Sequence, residues 1–244
     1  MRILNLGDQQ TASRYVAIEL IKLLQDKPDA ILGLATGATM TSVYPYFTDL
    51  LDLNHIDVSQ VHTFNLDEYV GLDAHHEHSY HHYMHERLFD NYSGWNKAFI
   101  HIPNGAADNL ESEALRYETL LQSVGQRDIQ LLGIGQNGHI GFNEPGTPFD
   151  SHTRVVNLTT STIQANSVHF SKLADVPKQA ISMGLDNITR AKRIILLAFG
   201  DKKHDALQRL IDGHITEDLP ASILHQHERV DVIVDNALYQ SLNI

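Results

Sequence analysis

The sequence predicts an α/β domain, a Rossmann-like, doubly wound, mostly parallel sheet with helices on both faces and a lid insertion. Three observations predict it. Short β-branched and apolar runs recur along the 244 residues, and segments with helical spacing separate them. The runs are continuous rather than alternating, which suits strands covered on both faces. Strand–helix alternation builds βαβ units and hence a parallel sheet. No internal repeat or low-complexity linker interrupts the chain, so residues 1–244 read as one domain.

In order, strands are expected at 3–6, 30–34, 61–64, 129–134, 193–199 and 230–234. Tyr15, Glu19, Leu20 and Leu23 place a helix after the first strand. Pro45 lies in the presumed second helix and would kink it or delay its start. Leu110, Ala114, Tyr117, Leu121 and Val124 step by four and three, with Asp108 and Glu111 as a capping box and Gly125 as the stop. Ala206, Leu207 and Leu210 form a late helix before Gly213. The stretch 145–176 has weak periodicity and is rich in Thr, Ser, Asn and His. It reads either as a surface insertion or as a mobile lid over a ligand.

Composition narrows the function. A formal net charge of -12 argues against nucleic-acid binding, which needs a basic face. The absence of cysteine excludes disulfides, thiolate metal sites and thiol nucleophiles. Residues 1–7 read as a strand, not a signal peptide, and no apolar run reaches the roughly 18 residues of a membrane span. The expected location is the cytoplasm.

Ligands of open α/β sheets bind beyond the carboxyl ends of the strands, and three strand ends carry unusual polar sequences. The first is Thr36, Gly37, Ala38 and Thr39, between a strand and a helix. It reads either as a phosphate cradle of backbone N–H groups or as a plain turn with Thr39 near the cap. The second carries adjacent acids, Asp67 and Glu68, of which one can face a site while the other caps or turns. The third runs from Gly133 to Pro145 and holds Gly135, Gly138 and Gly141 around His139, with Glu144 five residues on. His139 is the one group there suited to proton transfer near neutrality, and Glu144 can fold back to orient it. His75, His76, His78, His81, His82 and His85 include metal-compatible i,i+4 pairs, but without an obvious acidic third ligand they read as solvated helix-face histidines.

Together the three loops resemble the glucosamine-6-phosphate deaminase (glucosamine/galactosamine-6-phosphate isomerase) family, of the same superfamily as the 6-phosphogluconolactonases. Phe64 to Leu72 and Gly138 to Pro145 look like that family's signatures. Similarity continues through Thr153-Arg154, Ala165-Asn166, Pro177 to Ala180 and Leu219 to His225, and so spans essentially the whole chain. The resemblance implies that Asp67 shuttles a proton between C2 and C1 of an amino sugar. It implies that His139 opens the sugar ring, held by Glu144 and Asn137, and that phosphate lies on Thr36, Gly37, Ala38, Thr39 and Lys203. Many relatives have Asp where this chain has Asn137, and Asn cannot offer a charge to an imidazolium. Many also have an arginine where Val168 stands here, followed by His169.

The implied reaction needs no metal and no other cofactor. The implied partner is a small sugar phosphate, handled without nucleic acid or membrane by a monomer or small homo-oligomer. Val156 and Asn157 stand where regulated relatives place lysine and threonine, and the chain stops at Ile244, so no amino-sugar allostery is expected. Three alternatives remain at this level: the galactosamine epimer as substrate, a lactone hydrolase, and a non-enzymatic sugar-phosphate sensor.

Overall fold

The computed structural model describes residues 1–167, 170, 172 and 175–244. Ten strands form among them: β1 (Arg2–Asn5), β2 (Ile31–Leu34), β3 (His62–Asn65), β4 (Asp67–Tyr69), β5 (Ile100–His101), β6 (Ile129–Gly133), β7 (Arg154–Asn157), β8 (Gln179–Ser182), β9 (Ile194–Ala198) and β10 (Val230–Val234). The helices are α1 (Gln9–Asp26), α2 (Val43–Leu53), α3 (Tyr80–Arg87), α4 (Leu110–Val124), α5 (Thr160–Asn166), α6 (Leu185–Thr189), α7 (His204–Ile211) and α8 (Asn236–Ser241).

Seven strands make one parallel sheet in the order β1-β10-β9-β6-β2-β3-β5. Every residue of β2, β9 and β10 is buried, and successive strand side chains point to opposite faces, so the sheet is covered on both sides. Val16, Leu20 and Leu24 of α1 join these strands in one apolar core, and α1 lies against α2.

Residues 154–157, within the polar stretch, pair with β8 rather than forming a bare loop. With β4 they build a second sheet, antiparallel, in the order β4-β8-β7. One residue, Leu66, separates β3 from β4, so the chain passes from the large sheet into the small one right at the strand end. Among the described residues no helix is long and apolar enough to cross a membrane.

One local expectation is corrected. The cap of α4 is Asn109, whose Oδ1 accepts the Ser112 N–H at 2.8 Å; Asp108 lies one residue outside it. Gly125 ends that helix with φ 112°, a conformation that favours glycine. Pro45 delays rather than kinks α2, which begins at Val43 and places Pro45 in the first turn, where a missing N–H costs nothing.

The topology places the site. From β2 the chain moves to β3 on one side, whereas β6, the other neighbour of β2, leads to β9 on the opposite side. Connections diverging from adjacent parallel strands leave a crevice at their carboxyl ends.

Candidate active site

A cavity of about 440 Å³ occupies that crevice. Four parallel strands deliver loops to it: residues 35–39 after β2, Leu66 and Asp67 after β3, residues 133–142 after β6, and Phe199 and Lys203 after β9. Thr36, Gly37, Ala38, Thr39, Asp67, Asn137, His139 and Lys203 all line it, and Glu144 stands behind His139. The structure therefore brings together all nine residues singled out in the sequence.

Asp67 opens β4 opposite Ser182 of β8 and is 6% exposed. Among the described residues no donor hydrogen-bonds its carboxyl. Burial, reinforced by the nearby charge of Glu68, pushes it up to about 8. The backbone of Gly141 passes alongside with φ 57°, and a Cβ there would stand 3.5 Å from Asp67 Oδ2 and 3.3 Å from Ser182 Oγ. Glu68 turns away from the cavity and accepts the N–H groups of Tyr69, Tyr80 and His81 at 2.8–2.9 Å. It thus ties the start of α3 to β4, and of the two adjacent acids only Asp67 lines the cavity. Burial raises Glu68 to about 7 despite those three donors.

His139 packs flat against glycine backbone, since a Cβ on Gly135 would lie 2.3 Å from its Cε1. Its Nδ1 is 3.4 Å from Glu144 Oε2. A proton on Nδ1 facing that carboxylate leaves Nε2 for proton transfer in the cavity. Burial alone would raise Glu144. The His139 ring beside it, with donors from Thr162 and Asn137, outweighs burial and holds Glu144 at about 2. Asn137 acts on Glu144 and not on the ring: its Nδ2 donates to Oε2 at 2.6 Å, while its Oδ1 accepts the His139 backbone N–H at 3.3 Å. The implied support of His139 by residue 137 is thus indirect.

The Thr36–Thr39 loop does not open a helix directly, because α2 starts four residues beyond Thr39. Two of its carbonyls are committed: Gly37 O accepts from Met40 N and Tyr83 Oη, and Ala38 O from Thr41 N and Gln9 Nε2. Among the described residues no acceptor takes the N–H groups of Thr36, Gly37, Ala38 or Thr39. Carbonyls tied back and N–H groups left over at a cavity wall make an anion cradle. Lys203 ends a 3-10 turn, Asp201–Lys203, and reaches the same cavity; burial, then Lys202, lowers its pKa. Val168 and His169 lie outside the described residues.

Sequence reasoning missed Thr159 and Thr162. The Thr162 hydroxyl donates to Glu144 Oε1, and Thr159 Oγ1 lies 3.1 Å from the same atom. Their only signal was the hydroxyl-rich run Thr159-Thr160-Ser161-Thr162. Tyr80 and Gln9 also line the cavity without having been anticipated. The histidines of 75–85 lie apart from it: His81 stacks on His85 at 4.5 Å, and His85 Nδ1 is 2.9 Å from Asp90 Oδ1. Among the described residues no three His, Asp or Glu side chains converge to hold a metal.

The fold and this arrangement of loops are those of one family. The model of the Glucosamine-6-phosphate isomerases/6-phosphogluconolactonase family matches residues 9–233, and the chain belongs to that family. Within it, the chain is 64% identical over 242 residues to the glucosamine-6-phosphate deaminase of Staphylococcus haemolyticus, covering 99% of this chain and 100% of the relative. It is 59% identical over 236 residues to that of Staphylococcus epidermidis, covering 97% of each. The solved structure of a monomeric glucosamine-6-phosphate deaminase superposes with a TM-score of 0.96 at 44% identity, over 99% of this chain and 100% of that one. A 6-phosphogluconolactonase from Thermotoga maritima shares the fold at 19% identity, with a TM-score of 0.75 over 96% of this chain and 99% of that one.

Proposed function

We propose that the chain is a glucosamine-6-phosphate deaminase, converting glucosamine 6-phosphate and water to fructose 6-phosphate and ammonia. Phosphate sits on the unused N–H groups of Thr36, Gly37, Ala38 and Thr39 and on the Lys203 ammonium. His139, backed by Glu144, carries a proton from the C1 hydroxyl to the ring oxygen and so opens the ring. Asp67 removes the C2 proton and returns it to C1, which turns the aldose amine into a 2-imine. Water adds to the imine carbon, and ammonia leaves. α5 (Thr160–Asn166), within the stretch 145–176, lines the cavity and serves as its lid. The chain works as a monomer, as its 44%-identical structural relative does.

The observation that carries the reading is Asp67, buried in the cavity wall with no donor to its carboxyl among the described residues. An ammonium at C2 of the substrate supplies the missing positive neighbour, which favours the ionised carboxyl that a base must be. A lactone has no such group, so the same carboxyl favours an amino sugar over the lactonase alternative.

The test is incubation with glucosamine 6-phosphate and measurement of ammonia and fructose 6-phosphate in equal amounts. Galactosamine 6-phosphate and 6-phosphogluconolactone run in parallel decide the epimer and the hydrolase. Binding without turnover of any of the three would leave the sensor.

A further inference from the structure

Glu144 has two oxygens with different partners. Oε2 takes the Asn137 amide and faces His139 Nδ1. Oε1 takes nothing from the glycine-rich loop; its partners are the hydroxyls of Thr162 and Thr159, 18 and 15 residues along the chain. Thr162 is buried, at 5% exposure, and lines the cavity. Thr159 caps α5 by accepting the Thr162 N–H at 3.3 Å, so the hydroxyl that starts the helix and the one three residues on both reach the carboxylate.

The terminal torsion of a glutamate is broad and roughly two-fold, so a carboxylate held at one oxygen retains freedom to swing. A second hold on the other oxygen, from a different element, removes that freedom. We infer that Thr162 is a positioning residue for the reaction, its hydroxyl clasping Glu144 Oε1 so that Oε2 stays aimed at His139. The inference rests on the deaminase reading. It makes the seating of α5 and the aim of the ring-opening histidine a single arrangement: when α5 lies over the cavity, His139 is supported.

The test compares Thr162→Val, which keeps shape and loses the hydroxyl, with Thr162→Ser, which keeps the hydroxyl. kcat and KM for glucosamine 6-phosphate are measured with thermal unfolding of each protein. Small misplacements of catalytic groups cost up to about 100-fold, so the valine variant is expected to lose about 10–100-fold in kcat. KM should stay within about threefold, because Thr162 holds a catalytic group and not the phosphate. Serine should restore kcat to within about threefold of the parent on the same grounds. If valine fails to fold, Thr162→Ala, which adds no atom, should show the same loss. A valine or alanine variant with parental kcat, one whose loss lies in KM alone, or a serine variant as impaired as valine overturns the clasp. A parent protein that releases no ammonia from glucosamine 6-phosphate overturns the deaminase reading and the clasp with it.

Discussion

Asn137 donates its side-chain amide to Glu144, Nδ2 to Oε2 at 2.6 Å, and so holds the carboxylate that faces His139. An aspartate at 137 could not donate there. It would set two carboxylates within hydrogen-bonding distance, and like charges that close drive one of them to keep a proton.

Asn137→Asp should therefore change the pH dependence of the reaction. In the parent, Glu144 is held at about 2 and stays ionised across the working range. In the variant the pair titrates as a unit, with an apparent value above that of Glu144 alone. The acid limb of the kcat/KM profile should move to higher pH, measured between about pH 4.5 and 9, a range wide enough to show carboxylate and imidazole titrations. Superimposable profiles would remove Asn137 from the catalytic network.

Lys203→Ala should weaken use of glucosamine 6-phosphate by about 10–150-fold, since a hydrogen bond to a charged group contributes roughly 1.5–3 kcal/mol. The loss should fall mainly on KM, because phosphate is held alike in ground and transition states. In a protein of net charge -12 the global field repels a dianion, so on the proposed reading this local cation and the N–H groups of 36–39 carry the attraction. Free glucosamine should be a very poor substrate whose residual rate ignores the mutation. An unchanged KM in the variant would place the phosphate elsewhere.

Asp67→Asn should raise stability while destroying activity. Asp67 stands at about 8 in the folded chain against 3.8 ordinarily. The fold disfavours its charged form, so the stability that the neutral acid keeps is present below about pH 4 and is lost as pH rises towards 8. Asparagine, always neutral, escapes that loss. The melting temperature of the variant should exceed that of the parent by more at pH 8 than at pH 5.5, at roughly 2–4 °C for each kcal/mol recovered. Equal differences at both pH values would show that Asp67 is not held neutral by its surroundings.

N-acetylglucosamine 6-phosphate should leave the rate curve hyperbolic and unchanged. By the resemblance, Val156 and Asn157 are expected where regulated relatives place lysine and threonine, and Asn157 Oδ1 accepts from Gln179 Nε2 at 3.0 Å within the small sheet. A sigmoidal curve that the acetylated sugar straightened would contradict this.

The large sheet was legible because its central strands are continuous apolar runs; 230–234 matches β10 residue for residue. The small sheet was not. β4 is only Asp-Glu-Tyr, two acids with little intrinsic strand preference, and it is a strand because β8 pairs with it. β5 has two residues, too few to show a period. The site was legible where one loop carries its own logic, as in the glycine-rich segment around His139. It was illegible where partners meet from afar: Glu68 caps N–H groups 12 and 13 residues on, and Thr162 reaches Glu144 across 18.

The central claim is that Asp67 moves the C2 proton. The direct measurement is solvent exchange at C2 of glucosamine 6-phosphate in deuterium oxide, followed for the parent and for Asp67→Asn, with binding of the substrate checked separately. The account predicts exchange and ammonia release in the parent, and neither in a variant that still binds. Exchange at the parental rate in Asp67→Asn would contradict it and assign the base to another group.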